Sequence, residues 1–215
     1  MEATRPLHLV RLLTPEAIAA LLQPYVGADL PEMPRICVQL EAYLDLILKW
    51  NAKLNLTAIR TPEEIVRRHF GESLFAGIHL GECSTLLDFG SGAGFPGLPI
   101  QILRPDVAVT LAESQGKKAA FLREAVRTLG LATEVYGGRV EAMPAERRFE
   151  TVALRAVDNM DAAVVEAGRR AAKRVFILGT ATTSLSGFLG VDFRVEAQLA
   201  IPESSEGILE ILARR

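Results

Sequence analysis

The stretch Asp88-Phe89-Gly90-Ser91-Gly92-Ala93-Gly94-Phe95-Pro96-Gly97 constrains this chain more than any other. It follows Ser84 to Phe89, a short apolar run that reads as a buried strand. Three alternating glycines then let the backbone turn tightly and pass very close to a ligand. A helix through Leu98 to Leu103 follows and stops at Arg104-Pro105. Strand, glycine turn and helix in that order build a crevice at the carboxyl end of the strand.

The rest of the chain extends the pattern. Val107 to Leu111 reads as a second strand ending at Glu113, and Lys117 to Leu129 as a helix with Gly130 as its stop. Strands follow at Thr133 to Tyr136 and Thr151 to Leu154, a helix from about Met160 to Ala172, and a strand from Arg174 to Leu178. The tail offers two more strands, near Phe193 to Leu199 and Ile208 to Leu212, with no room for a helix between them. This alternation predicts an α/β, Rossmann-like fold: a mostly parallel seven-stranded sheet with helices on both faces and an antiparallel pair at one edge.

The front of the chain is helical. Thr14-Pro15-Glu16 reads as an N-cap, a first-turn Pro and a first-turn acid, opening a short helix to about Leu22. The region of Pro31 and Pro34 breaks the chain. Leu40, Tyr43, Leu44, Ile47 and Leu48 then recur at three- and four-residue spacing, an amphipathic helix running towards Asn51. Thr61-Pro62-Glu63-Glu64 reads as a capping box opening a helix to about Ile78. Residues 1–80 are therefore expected to form a helical extension packed on a ligand-binding domain spanning 81–215.

Composition narrows the function. Only Cys37 and Cys83 are present, which excludes a disulfide scaffold. His8, His69 and His79 are too scattered for a metal cluster, and no metal is expected. Met1 to Val10 has no apolar core of signal-peptide length, and no apolar run approaches the ~18 residues of a membrane span. A soluble, cytoplasmic monomer is expected. The net charge of −2 argues against gripping naked nucleic acid by bulk charge. Only residues 84–185 are net positive, with 13 basic against 11 acidic groups, so any basic face should lie there.

The glycine loop admits two ligands. Gly92-Ala93-Gly94-Phe95-Pro96-Gly97 is literally G-x-G-x-x-G, the dinucleotide fingerprint, which alone is weak. The longer string from Asp88, D-x-G-x-G-x-G, is the pattern of S-adenosylmethionine (SAM) enzymes, whose loop meets a methionine carboxylate and amine. Gly90, Gly92 and Gly94 would form that loop. Glu113, at the end of the next strand, can accept hydrogen bonds from both ribose hydroxyls. The terminal antiparallel pair also suits a SAM enzyme better. A nicotinamide or flavin cofactor, and a glycine turn without ligand, remain as alternatives.

Several further strings occur in order around this loop. They are Leu54-Asn55-Leu56-Thr57-Ala58-Ile59-Arg60, Arg68-His69-Phe70, Gly90 to Pro99, Gly116-Lys117-Lys118 with Phe121-Leu122-Arg123, Gly138-Arg139-Val140-Glu141, and Arg155-Ala156-Val157. Together they resemble the glucose-inhibited division protein B family, the bacterial small-subunit rRNA (guanine-N7) methyltransferases, over roughly residues 40 to 180. The resemblance implies a class I methyltransferase with SAM as donor and a guanine of 16S rRNA in the small ribosomal subunit as acceptor. It implies that Gly90 and Phe95 line the loop around SAM and that Glu113 meets the ribose. Val140 and Glu141 would border the adenine, and Arg155 would lie on the floor of the site. The chain departs from the family where Gly71-Glu72-Ser73 replace the usual Leu-Asp-Ser. Leu178 stands for a usual Lys, and Glu206-Gly207 for a usual Arg-His pair. The alternatives are a SAM enzyme acting on another acceptor and a SAM-binding module without turnover.

Guanine N7 carries a lone pair and no proton, so its methylation needs alignment and no general base. No catalytic residue is assigned. Arg139 and Arg155 follow strands on the crevice side and are candidates for RNA contact, with pairing to Glu113 or Glu141 as the plainer reading. Lys117 and Lys118, with Arg123 and Arg127, share one helix face and are RNA-backbone candidates. Arg169, Arg170, Lys173 and Arg174 read better as a solvated cluster. His69 is expected to pack between extension and domain, Trp50 to lie in the core, and Asn55 and Thr57 to fix a turn, with direct contact to the acceptor guanine as their alternative role.

Overall fold

A computed structural model describes residues 13–28, 30–180 and 186–215. Met1 to Val10 and His8 lie outside the described residues. The sheet has seven strands: β1 (Thr85–Phe89), β2 (Ala108–Ala112), β3 (Glu134–Tyr136), β4 (Phe149–Arg155), β5 (Ala171–Thr180), β6 (Phe193–Ala200) and β7 (Gly207–Arg214). Their order is β3-β2-β1-β4-β5-β7-β6. The first five are parallel, and β7 runs antiparallel to both β5 and β6. The antiparallel pair thus lies at the edge as expected, with the last strand inserted inside the sixth. A dinucleotide-binding sheet of order 3-2-1-4-5-6 has no such reversed insertion.

The period-two alternation of the strands feeds two apolar layers. Leu86, Ala153 and Phe176 face one core, while Leu87, Val152, Leu154, Val175 and Ile177 face the other. The second face is covered by α7 (Met160–Arg170) and by Leu189 from a 3-10 segment, Ser186–Asp192. The first is covered by α5 (Gly97–Leu103) and α6 (Gly116–Leu129), together with the helical front.

That front comprises α1 (Pro15–Val26), α2 (Met33–Asn51) and a continuous helical run of α3 (Pro62–Glu64), a π-helical stretch (Ile65–Gly71) and α4 (Glu72–Ile78). The buried residues of α2, among them Ile36, Leu40, Tyr43, Leu44 and Ile47, join the same apolar cluster as Leu98 of α5 and Phe121 and Leu122 of α6.

The details differ from the sequence reading in four places. α1 runs one turn beyond Leu22, through Pro24, which buries Tyr25. The capping box does not form: Thr61 Oγ1 donates to the Glu64 carboxylate at 2.8 Å, and its side chain caps no backbone N–H. The helix from Thr61 widens into a π-helix, which places Ile65, Val66, His69, Phe70 and Gly71 on buried sides at once. α7 stops at Arg170 because Ala171 already pairs with Phe149 in the sheet.

Candidate functional site

The carboxyl ends of β1, β2 and β4 open onto a cavity of about 490 Å³. It lies where the strand order reverses, between β1 and β4, the usual ligand crevice of such sheets. Its size falls within the ~300–1,000 Å³ of small-molecule sites.

The glycine loop forms one wall. Gly90 and Gly92 have φ of +69° and +56°, conformations that favour glycine. A Cβ at Gly92 would meet nothing closer than the Gly90 carbonyl at 3.9 Å, so the missing side chain leaves open space at the wall. The loop is held from three sides. Asp88 Oδ2 accepts from the Gly97 N–H at 3.0 Å, anchoring the start of α5 to β1. Glu113 Oε2 accepts from the Gly92 N–H at 2.9 Å, and its Oε1 from the Gln115 N–H at 2.7 Å. The Tyr43 hydroxyl of α2 donates to the Ala93 carbonyl.

Asp88 is fully buried, and its Oδ1 has no hydrogen-bond partner. Burial raises its carboxyl from the ordinary 3.8 to about 7; the Gly97 hydrogen bond opposes the shift and the nearby Glu113 adds to it. An unpartnered buried acceptor behind a glycine cradle, with a second carboxylate at the end of β2, matches a ligand that carries an ammonium and vicinal hydroxyls. These residues fit SAM.

The opposite wall is a polar chain. Arg155, at the end of β4, pairs with Glu72 of α4, with Nη2 to Oε2 at 2.7 Å. Its Nη1 lies 3.0 Å from His69 Nδ1, and its Nη2 also donates to the Arg68 carbonyl at 3.1 Å. His69 Nε2 is 2.7 Å from Thr57 Oγ1. The His69 ring stacks on Phe95, with centroids 4.5 Å apart and planes at 21°. Burial, then the positive charges of Arg155 and Arg68, lower the His69 pKa from 6.5 to about 3, so the ring is neutral. Beyond Arg155 the chain passes through two left-handed non-glycine residues, Ala156 (φ +50°) and Asn159 (φ +51°), both on the cavity wall. Such conformations cost roughly 1–3 kcal/mol each and cluster at functional sites.

Residues 36–178 match the sequence profile of a family described as rRNA small subunit methyltransferase G. The chain belongs to that family. It is 45% identical to the ribosomal RNA small subunit methyltransferase G of Nitrosomonas europaea over 64% of this chain and 63% of that one, so this match spans less than two thirds of the relative's length. It is 44% identical to the protein of the same name from Xylella fastidiosa over 73% of each chain. In fold it is similar to the crystal structure of M. jannaschii TYW2 in complex with AdoMet, with a TM-score of 0.53 at 10% identity over 67% of this chain and 76% of that one. By family and fold the chain is a class I SAM-dependent methyltransferase.

Most residues singled out from the sequence converge on the cavity. Gly90, Gly92, Phe95, Glu113, Val140, Glu141, Arg139, Arg155 and Lys118 all lie on its wall. Two do not. Gly94 faces away, where a Cβ would stand 2.6 Å from both Leu98 and the Tyr43 hydroxyl. Lys117 lies exposed, one residue before Lys118 on α6. Arg155 does pair with an acid, but with Glu72 and not with Glu113 or Glu141. The Arg169, Arg170, Lys173 and Arg174 cluster is internally satisfied: the first two bind Glu166, and the others Glu150 and Glu196.

The residues missed from sequence come from the front. His69 packs as expected, but it also lines the cavity, as does Thr57. Asn51 does the turn-fixing work expected of Asn55, accepting from the Leu56 and Thr57 N–H groups at 2.8 and 3.1 Å. Glu72 stands among the departures, and only its spacing from Arg68 on a helix hints at pairing. That pairing forms at 3.9 Å, but the closer partner, Arg155, is 83 residues away.

Proposed function

We propose that the chain transfers the methyl group of SAM to N7 of a guanine in 16S rRNA of the small ribosomal subunit, as a cytoplasmic monomer. In this reading Gly90, Gly92 and Phe95 line the methionine end, with Asp88 anchoring their loop from behind. Glu113 takes the ribose, and Val140 and Glu141 border the adenine. Lys118 and Arg139 at the cavity wall, with Lys117 beside them, meet the RNA. When bound, SAM supplies a sulfonium methyl group with an excellent leaving group.

One observation carries the choice of acceptor: the basic nitrogen of His69 is already occupied by Arg155. Glu72 is committed to Arg155, and Glu113 to two backbone N–H groups. None of these three groups is free to act as the base that a hydroxyl or amine acceptor beside them would need; guanine N7 has a lone pair and no proton to lose. Charge argues the same way. Both the sulfonium and the N7-methylated product are cationic, and here Arg155 is neutralised by Glu72 while His69 stays neutral. The protein's task is then to align nucleophile and methyl and to exclude water.

Among the described residues no helix is long and apolar enough to cross a membrane. The test is transfer from labelled SAM to small subunits lacking the N7 modification, with naked rRNA in parallel and the labelled base mapped. Label at one guanine N7 is expected. Label on another atom, or SAM binding without transfer to either RNA, would overturn the proposal.

A further inference from the structure

The hydroxyl of Thr57 is unusually constrained. The Arg155 guanidinium can only donate, so His69 Nδ1 must accept from it, and the proton of the neutral ring sits on Nε2. That Nε2–H donates to Thr57 Oγ1 at 2.7 Å. The Ile59 N–H donates to the same oxygen at 3.1 Å. Both lone pairs of Oγ1 are therefore used. Its own proton has no acceptor among the described residues, and Thr57 lies on the cavity wall beside His69, Phe95 and Arg155. The hydroxyl can donate into the cavity and cannot accept.

We infer that Thr57 reads the substituent at C6 of the acceptor purine, donating its hydroxyl proton to guanine O6. This rests on the guanine-N7 reading above and deepens it. N7 of adenine carries the same lone pair, so a methyltransferase acting there must choose its base by the neighbouring group. On the major-groove edge, guanine presents an acceptor beside N7 where adenine presents an amino donor. A hydroxyl free to rotate would serve either. One whose lone pairs are both occupied meets the adenine amino group donor to donor and selects guanine. The chain Glu72–Arg155–His69 is what removes the ambiguity. Phe95, stacked on the imidazole, holds its plane, so His69 is a positioning residue. The bond serves selection and orientation, not the chemical barrier, because O6 loses electron density as N7 takes the methyl group.

The test replaces the mapped guanine in reconstituted small subunits with 2-aminopurine, which keeps N7 and lacks O6. Transfer is compared as kcat/KM on the two substrates for the wild type, Thr57→Val, Thr57→Ser and His69→Leu, with SAM affinity measured for each. The wild type is expected to prefer guanine by about tenfold, the order of one neutral hydrogen bond with its orientation effect. Thr57→Val should lose most of that preference and Thr57→Ser should keep it; His69→Leu, whose freed hydroxyl still donates to O6, should keep the preference over 2-aminopurine but lose the discrimination against adenine placed at the same position. Equal preference in the wild type and Thr57→Val would overturn the inference. So would a Thr57→Val protein whose SAM affinity collapses while the preference stays, which would assign the hydroxyl to the cofactor. If Thr57→Val does not fold, equal wild-type rates on guanine and 2-aminopurine overturn it alone. A wild type that methylates no guanine-bearing subunit brings down the guanine-N7 reading itself, a result distinct from any of these.

Discussion

The ring of Tyr25 fills the space that a side chain at residue 71 would need: a Cβ on Gly71 would stand 2.7 Å from two ring carbons. The family's usual Leu has no room there, so this departure belongs to the packing of α1 on the π-helix. Overpacking a core costs about 1–3 kcal/mol, and Gly to Ala in a helix returns up to ~1 kcal/mol. Gly71→Ala should therefore destabilise the wild type by about 1 kcal/mol and stabilise a Tyr25→Ala background. Urea unfolding of the four proteins checks this, and the change of sign is the decisive reading.

Asp88 and His69 should pull stability against pH in opposite directions. From about pH 4 to 7 the folded chain keeps an Asp88 proton that the unfolded chain has lost, so raising pH favours unfolding. From about pH 3 to 6.5 the unfolded chain holds a His69 proton that the folded chain excludes, so raising pH favours folding. Each slope is about 1.4 kcal/mol per pH unit, and between pH ~4 and ~6.5 they offset each other. Relative to the wild type, Asp88→Asn should tilt stability upward with pH in that window, and His69→Gln should tilt it downward. Denaturant unfolding at pH 4.5 and 6 measures both; two parallel profiles would contradict the burial of these groups.

Tyr43 couples the helical front to the glycine loop. It is fully buried, and burial keeps its hydroxyl protonated by raising its pKa well above 10. Tyr43→Phe would leave the Ala93 carbonyl unpaired in the core, at a cost of about 1–3 kcal/mol. The loop should loosen with it. We expect a lower melting temperature and a several-fold weaker affinity for SAM, by thermal unfolding and calorimetric titration.

Glu113 and Gly92 define the same wall from two strands. Glu113→Ala removes the acceptor for two backbone N–H groups as well as the proposed ribose partner. Gly92→Val forces a β-branched residue into φ +56°. Both should weaken SAM binding by about tenfold or more, the order of a lost charge-assisted hydrogen bond. Full affinity in both would rule out this cavity as the SAM site.

What the sequence determined by itself was whatever depends on near neighbours. The strand before Gly90, the glycine turn, the helix after it and the acid at Glu113 are local patterns, because turn conformations and hydrophobic periods act over a few residues. They led to the sheet, the crevice and most of the residues on its wall. Boundaries slipped where tertiary packing outweighed local preference: α1 runs through Pro24 to bury Tyr25, and the Thr61 helix widens into a π-helix under α1. The acceptor side was decided only by the folded chain. Thr57, His69, Glu72 and Arg155 come from two separate stretches, and their direction of hydrogen bonding follows from burial and from a donor-only guanidinium meeting a neutral ring. No local pattern encodes that, because the dielectric, the charge partner and the proton's position are properties of the assembled cavity.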